Sequence, residues 1–298
     1  MPQPYVITVI LNTNRRTDTL EALASLEKNT YPNQAVIVLD NASTDGSVEA
    51  IREAFPQVEI ISLTENLGYA GNNNVGIEAA IDKGADWVFV LNEDTILAND
   101  CLERLVEMGE SDPQIGIVGP LVYHHNEPEV IQSAGGMLGP DWQSRHLGQN
   151  EPDLGQFPHP QAVEWISGCA ILVRRAVIEQ VGALDARFFY YWEETEWCLR
   201  SRKAGWRILM VPQAKLWHKG VQRDYTPNPS VTYYSTRNRL LMLSKHHAPI
   251  RVWAQTSWQI TRTLTSWTIK PQWRSMRPHR AAMLQGLRDF LGHRWGMR

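Results

Sequence analysis

Two clusters of carboxylates stand where chemistry can be done. Glu93 and Asp94 follow a short apolar run, Trp87-Val88-Phe89-Val90-Leu91, with Asn92 between. Two adjacent acids at the end of a strand suit a hard cation such as Mg²⁺ or Mn²⁺, which keeps waters and takes phosphate oxygens as further ligands. The bland alternative is a polar strand end or a helix N-cap. Glu193, Glu194 and Glu196 follow the aromatic stretch Phe188-Phe189-Tyr190-Tyr191-Trp192. A carboxylate held between Trp192 and a second acid has its pKa raised, which suits a group that must take up a proton near neutral pH. The alternative is that these acids supply favourable charge to the first turn of a helix. His218, ahead of Lys219-Gly220, is either a metal ligand or a lone structural histidine.

The elements that must position these groups alternate in type. Short apolar runs at residues 5–11, 35–39, 58–63 and 86–91 read as strands, the last ending at the Glu93–Asp94 pair. Helical spacing appears at 18–28, after the turn Asn41-Ala42-Ser43-Thr44-Asp45-Gly46, and at 75–83, preceded by a Gly/Asn-rich loop at 68–74. Repeated β-α-β-α with short connections predicts a parallel sheet wrapped by helices, with ligands bound beyond the carboxyl ends of its strands. A helix near 101–108 and a strand at 116–118 follow. Residues 119–160 are too long for an ordinary connection and predict a binding loop or a hairpin insertion. Further strands are expected at 165–173 and 208–211, the latter closed by Pro212. Helices are expected at 231–245, 252–269 and 280–291. No Gly-x-Gly-x-x-Gly or Walker sequence is present.

The 298 residues carry a net charge of −3 that conceals an asymmetry. Residues 249–298 hold nine Lys/Arg against one acid, a net +8, so the remainder carries −11; five of the twelve tryptophans also lie in this tail. Three cysteines without metal-ligand spacing predict reduced thiols and a cytoplasmic setting. No signal peptide is expected at the start, and no apolar run approaches the ~18 residues of a membrane span. Ile250, Trp253, Ile260, Leu264 and Trp267 recur near helical spacing. Two readings of this basic, Trp-rich end remain open: peripheral contact with a membrane interface, or packing on the body or on a second copy in a homodimer.

The order of several short motifs resembles family 2 glycosyltransferases of the GT-A fold, in their rhamnosyltransferase-like branch. They are Val9-Ile10-Leu11-Asn12-Thr13-Asn14, Asp40 to Gly46, Asn66 to Asn74, Leu91 to Thr95, Phe188 to Glu194, His218-Lys219-Gly220 and Tyr233 to Asn238. The match spans roughly residues 5–245, so a catalytic domain over 1–245 and a helical extension over 246–298 are expected. The resemblance implies an α/β fold with a mostly parallel central sheet flanked by helices. It implies an inverting, metal-dependent transferase moving one sugar, with L-rhamnose leading, from a dTDP- or UDP-linked donor. The acceptor would be a saccharide or lipid-linked glycan in cell-surface polysaccharide synthesis.

By the same resemblance, Asp40 would accept the ring N–H of uracil or thymine, with Asn12 beside the nucleotide. Gly68 would allow close approach of the donor, Asn74 would sit near the diphosphate, and Asn92 replaces the first acid of the metal motif. Asp94 would hold the metal and His218 complete its shell. Glu194, where the family has Asp, would be the general base, with Glu193 as the competing choice. Trp192 would stack on the acceptor sugar. The Gln-x-x-Arg-Trp signature of processive synthases is missing, and no nucleic-acid partner is expected. Two alternatives stand beside this reading. One is a sugar-phosphate nucleotidyltransferase, whose Gly-rich basic loop Asn12-Thr13-Asn14-Arg15 does not supply. The other is a catalytically silent carbohydrate-binding protein on the same fold.

Overall fold

Strand β1 (Val6–Asn12) is apolar on both faces and pairs in parallel with β2 (Gln34–Asp40) on one side and β4 (Trp87–Asn92) on the other. In this computed structural model, residues 3–220, 222, 223 and 225–298 are described. Helix α1 (Arg16–Glu27) joins β1 to β2; α2 (Ser47–Ala54), β3 (Glu59–Ser62) and α3 (Gly68–Asp82) lead to β4. Along β4, Trp87, Phe89 and Leu91 point into one core layer and Val88 and Val90 into the other. Each such burial contributes roughly 1.5–3 kcal/mol, so the strand carrying Glu93 and Asp94 is rigidly held. The parallel register sets Asn12 opposite Asp40 and Leu11 opposite Asn92, which aligns these strand ends on one edge of the sheet.

Beyond β4 the chain forms β5 (Thr95–Leu97), α4 (Cys101–Glu110), β6 (Ile115–His124), β7 (Ile131–Ser133), β8 (Gly136–Leu138), β9 (Ser144–His146) and β10 (Gln161–Ala162). Then come β11 (Ala170–Arg174), α5 (Arg175–Val181), α6 (Glu193–Lys203), β12 (Arg207–His218), α7 (Pro229–Lys245), α8 (Ile250–Ile269) and α9 (Arg277–Leu291). The main sheet runs β10-β12-β6-β11-β4-β1-β2-β3, with β5 added to β12 and β7 to β6. Strand β11 is antiparallel to both its neighbours, so the sheet is mixed.

Several boundaries differ from the sequence expectation for identifiable reasons. The Gly/Asn-rich run is the first half of α3 rather than a loop. Asn66 Oδ1 accepts from the Gly68 amide and Asn72 Oδ1 from that of Leu67, so side chains satisfy the helix start. Strand β12 passes through Pro212, because a register shift between Val211 and Lys215 spares the ladder the missing N–H. Strand β6 runs to His124, well into the segment expected to be a loop, and the rest of that segment contributes β7 and the β8–β9 hairpin. Residues 165–169 are not strand; β11 begins at Ala170. The three cysteines are free and buried. No helix among the described residues is long and apolar enough to cross a membrane.

Candidate active site

A cavity of about 550 Å³ opens beyond the carboxyl ends of β1 and β4. Asn92, Glu93, Asp94 and His218 line one part of it, and Glu193 and Glu194 another. Backbone pairing explains the first group: β5 runs antiparallel to β12 with Thr95 opposite His218, which sets His218 beside Asp94 although they are far apart in sequence. The Lys219 amide donates to the Asp94 carbonyl at 2.9 Å. The Lys219 ammonium pairs with Asp18 at 2.9 Å and with Glu21, tying this corner to α1.

Asp94 is buried. Its Oδ2 takes a hydrogen bond from Arg15 at 3.1 Å. Its Oδ1 accepts no well-formed hydrogen bond, yet His218 Nε2 lies 3.1 Å away. The other imidazole nitrogen, Nδ1, is 2.7 Å from the Gln132 amide oxygen and so carries the proton. In a neutral ring Nε2 therefore turns a lone pair toward a carboxylate. Burial raises the Asp94 pKa, but a protonated His218 and the Arg15 charge outweigh it and leave it below the ordinary value.

This arrangement fits a divalent cation. Adjacent corners of an octahedron with ~2.1 Å bonds stand ~3.0 Å apart, close to the observed separation of Oδ1 and Nε2. The space in front of the pair is kept open by Gly220, where a Cβ would lie 2.8 Å from His218 Nε2 and 3.1 Å from Asp94 Oδ2. Among the described residues no group of three His, Cys, Asp or Glu could enclose a metal. An all-protein cage is thus not what this corner offers; two ligands that leave room for water and phosphate are.

The remaining acids are perturbed by burial. Glu93 is pushed up to about 7, first by burial and then by the charge of Asp94. Glu193 is buried, its Oε2 has no hydrogen-bond partner, and its pKa is driven well up by burial and by Glu194. Burial raises Glu194 as well, but backbone N–H groups and the Thr195 hydroxyl, 3.2 Å away, oppose the shift. Both acids sit in the first turn of α6, whose N-terminal dipole favours a carboxylate. Of the two, Glu194 is the better supported anion.

The loop ahead of α6 is strained and clamped. Phe189, Tyr191 and Trp192 all have positive φ, at 62°, 70° and 76°. Such non-glycine conformations persist only where the surroundings enforce them. The enforcement comes from α7. The fully buried Arg237 donates to the carbonyls of Arg187 and Phe188 at 3.1 and 2.9 Å. The Asn238 amide nitrogen lies 2.7–2.8 Å from the carbonyls of Phe188, Tyr190 and Tyr191. The Arg237 guanidinium also lies over Tyr233, Tyr234 and Trp295 and donates to the Gly296 carbonyl, so the chain's last segment completes the clamp. Gly68 belongs to the same packing: a Cβ there would collide with Phe189.

Of the residues singled out from sequence, Gly68, Asn92, Asp94, Glu193, Glu194 and His218 meet at this cavity. Four do not line it. Asn74 is corrected to a structural position: its amide donates to the Leu184 carbonyl at 2.8 Å and accepts from the Leu184 N–H at 3.0 Å. Asn12 is fully buried in a knot, its amide nitrogen 2.9–3.0 Å from oxygens of Asp40, Ser43 and Ser47 and its amide oxygen accepting from Thr19. Asp40 is buried beside it, its oxygens taking Asn12 at 3.0 Å and the Ser43 amide at 3.2 Å, and its neighbour Asn41 reaches the cavity instead. Trp192 faces a second cavity. Arg15 and Asn72, which do line the cavity, were missed; a basic residue just past the first strand end was the signal for Arg15.

Residues 6–182, more than half of the chain, match the family profile described as "Glycosyl transferase family 2". The chain belongs to glycosyl transferase family 2. A similar family member is the "N-acetylglucosaminyl-diphospho-decaprenol L-rhamnosyltransferase" of Mycobacterium tuberculosis, 32% identical over 253 residues, covering 77% of this chain and 82% of the relative. The "dTDP-rhamnosyl transferase RfbF" of Shigella flexneri is 26% identical over 299 residues, covering 96% and 97%. Among solved structures, the mannosyltransferase PcManGT from Pyrobaculum calidifontis, in complex with GDP-Man and Mn²⁺, superposes with a TM-score of 0.62 at 17% identity, covering 97% of this chain and 87% of that one. The fold is GT-A, and the protein is a nucleotide-sugar glycosyltransferase of glycan synthesis. The nucleotidyltransferase and the silent sugar-binder give way to that assignment.

Proposed function

We propose that this enzyme transfers a single sugar with inversion, L-rhamnose from a dTDP-linked donor being the best-supported choice, onto a lipid-linked glycan acceptor. The observation that carries the reading is one cavity joining a carboxylate–imidazole pair suited to a cation–diphosphate group with two buried acids suited to proton transfer. The two rhamnosyltransferase relatives support the sugar, and the mycobacterial one, an N-acetylglucosaminyl-diphospho-decaprenol L-rhamnosyltransferase, supports a lipid diphosphate acceptor. Asp94 and His218 would hold Mg²⁺ or Mn²⁺. Once bound, that ion supplies charge neutralisation to the departing diphosphate.

In this reading Glu194 takes the proton of the acceptor hydroxyl as its oxygen bonds to the anomeric carbon. The bond from that carbon to the diphosphate oxygen breaks, and its electron pair leaves with the nucleotide. Glu193, driven toward its neutral form, keeps a second negative charge away from the base. Asp40, oriented by Asn12, would accept a pyrimidine ring N–H through a lone pair its two internal bonds leave over. Trp192 would meet the acceptor. Residues 1–245 supply these groups, and residues 246–298 complete the clamp that Arg237 and Asn238 place on the loop carrying the acids.

Contact with a membrane surface is supported by one face of α8. Ile250, Trp258 and Ile269 are 84%, 66% and 71% exposed, with Trp273 just beyond. Residues 249–288 carry seven Lys/Arg and no acid. Indole and guanidinium groups together suit an anionic headgroup layer.

Release of nucleotide diphosphate from a panel of dTDP-, UDP- and GDP-sugars, with and without EDTA, tests the assignment. dTDP-rhamnose turnover abolished by EDTA and by Asp94→Ala is the expected result. Full activity of Asp94→Ala, or of wild type in EDTA, would remove the metal from the account.

A further inference from the structure

A second cavity, about 650 Å³, lies behind the clamped loop. Val231, Thr232, Ser235, Thr236 and Arg239 line it from one face of α7, at intervals that follow the helical repeat. Thr256, Gln259, Ile260, Thr263 and Trp267 line it from α8. Beside Ile260 and Trp267, α8 turns Thr256, Gln259 and Thr263 toward it, polar groups that packing on the body does not call for. Trp192 forms part of the wall, and it is covalently joined to Glu193 in the first cavity. Residues 225–236 also contribute to both. Trp192 with Glu193 and residues 225–236 thus belong to the wall between the two spaces.

The chemistry of the second cavity is one-sided. Among the described residues that line it there is no carboxylate, and the charged group is Arg239. That guanidinium donates to neutral acceptors, Gln259 Oε1 at 2.9 Å and the Asp141 carbonyl at 3.0 Å, and its buried Nε has no hydrogen-bond partner. The hydroxyl of the fully buried Thr256 also lacks one. Buried donors without partners are uncommon and costly. A cation half withdrawn from water, whose own hydrogen bonds go to neutral oxygens, is set to receive an anionic one; the nearby Asp141 carboxylate is taken up by Gln259 and Arg145.

We propose that this cavity is the acceptor subsite, in which Arg239 binds the phosphate or diphosphate linking the acceptor saccharide to its lipid. The hydroxyl-rich walls and the Trp192 indole hold the saccharide, and the reacting hydroxyl crosses toward Glu194. The inference rests on the transferase reading above and gives its acceptor an address and a charge. Arg239 is thereby a specificity-determining residue: it separates acceptors joined through phosphate from plain glycosides of the same sugar.

The test uses two probes, N-acetylglucosaminyl diphosphate bearing a short alkyl chain and the matching alkyl N-acetylglucosaminide without phosphate. Binding is measured by titration calorimetry in EDTA, so that a cation at Asp94 cannot recruit the diphosphate to the first cavity. Wild type should prefer the diphosphate probe by at least roughly tenfold, the usual scale of a charge-assisted hydrogen bond. Arg239→Gln should erase that preference. Thr263→Phe, which fills the cavity and leaves the Arg239 bonds alone, should weaken both probes; should Arg239→Gln fail to fold, this variant decides. Binding of dTDP with Mn²⁺ reports separately that the donor cavity survives. No preference in wild type, or wild-type binding of the diphosphate probe by the folded variants, overturns the proposal. A wild type that binds the diphosphate probe selectively yet releases nucleotide diphosphate from no donor overturns the transferase reading and leaves the subsite standing.

Discussion

Replacing Glu196 by Gln should destabilise the protein in a manner set by pH. This carboxylate is fully buried in α6, three residues after Glu193. It receives His246 Nε2 at 3.0 Å, Arg200 Nη2 at 3.0 Å and Lys245 Nζ at 2.8 Å. Burial alone would raise its pKa, but these partners more than reverse that and bring it from 4.5 to about 2. At about 1.4 kcal/mol per pKa unit, the depression corresponds to about 3 kcal/mol of stability. Because the folded pKa lies below the unfolded one, that stability is complete above the unfolded value and is lost as pH falls from 4.5 toward 2. Urea unfolding across a pH series should give Glu196→Gln a constant deficit of about 3 kcal/mol above about pH 5.5 that narrows in more acid buffer. A deficit under about 1 kcal/mol at neutral pH, or one unchanged down to about pH 3, would refute the reasoning. The same network joins Asp185, Arg187 and Lys245, so the variant should also loosen the start of the helix that presents Glu193 and Glu194.

Glu194→Gln should lower turnover by roughly 10²–10⁴ while donor binding persists; a dead Glu193→Gln beside an active Glu194→Gln would move the base by one residue. Removing the chain beyond Ala248 should lower the melting temperature by roughly 6–12 °C, since Tyr233 loses Asp289 and Arg237 loses Gly296 and Trp295. An unchanged melting curve would show the tail to be dispensable. Trp258→Ser combined with Ile269→Ser should leave melting unchanged and abolish salt-sensitive binding to phosphatidylglycerol-rich vesicles. A full-length protein that ignores such vesicles at low salt, or that self-associates through this face, ends the membrane reading.

The strands and their ends were legible because a buried parallel strand is an uninterrupted apolar run that stops where solvent begins, as at Leu91 and Asn92. The Glu93–Asp94 pair was legible for the same reason. What the sequence hid depends on side-chain direction. Asn74 looks like a ligand by residue type, but its short polar side chain serves the Leu184 backbone, and only geometry distinguishes that from a substrate contact. The tail shows the limit most plainly. The stripe of Ile250, Trp253, Ile260, Leu264 and Trp267 has helical spacing, yet its inner members face protein; Trp253 packs near Phe290 and Trp267 near His279. Trp258 and Ile269, both exposed, lie around the helix from it, and Ile250 stands exposed at its end. Clamp formation by Arg237 and Asn238 depends on carbonyls about fifty positions earlier in the chain, and no local pattern announces that.

The pairing of β5 with β12 has a consequence for how this enzyme can diverge. His218 meets Asp94 only because a three-residue strand holds Thr95 opposite His218, and side chains in a strand alternate from face to face. Losing or gaining one residue between Asp94 and Leu97, or across the bulge before Lys215, would turn the imidazole away while leaving every side chain chemically intact. The segment between β7 and β10 carries no such constraint from Asp94 and His218. Lineages descending from this chain can therefore lengthen or shorten the hairpin region to suit new acceptors, while single-residue insertions in the short strand are purged as though they were active-site substitutions.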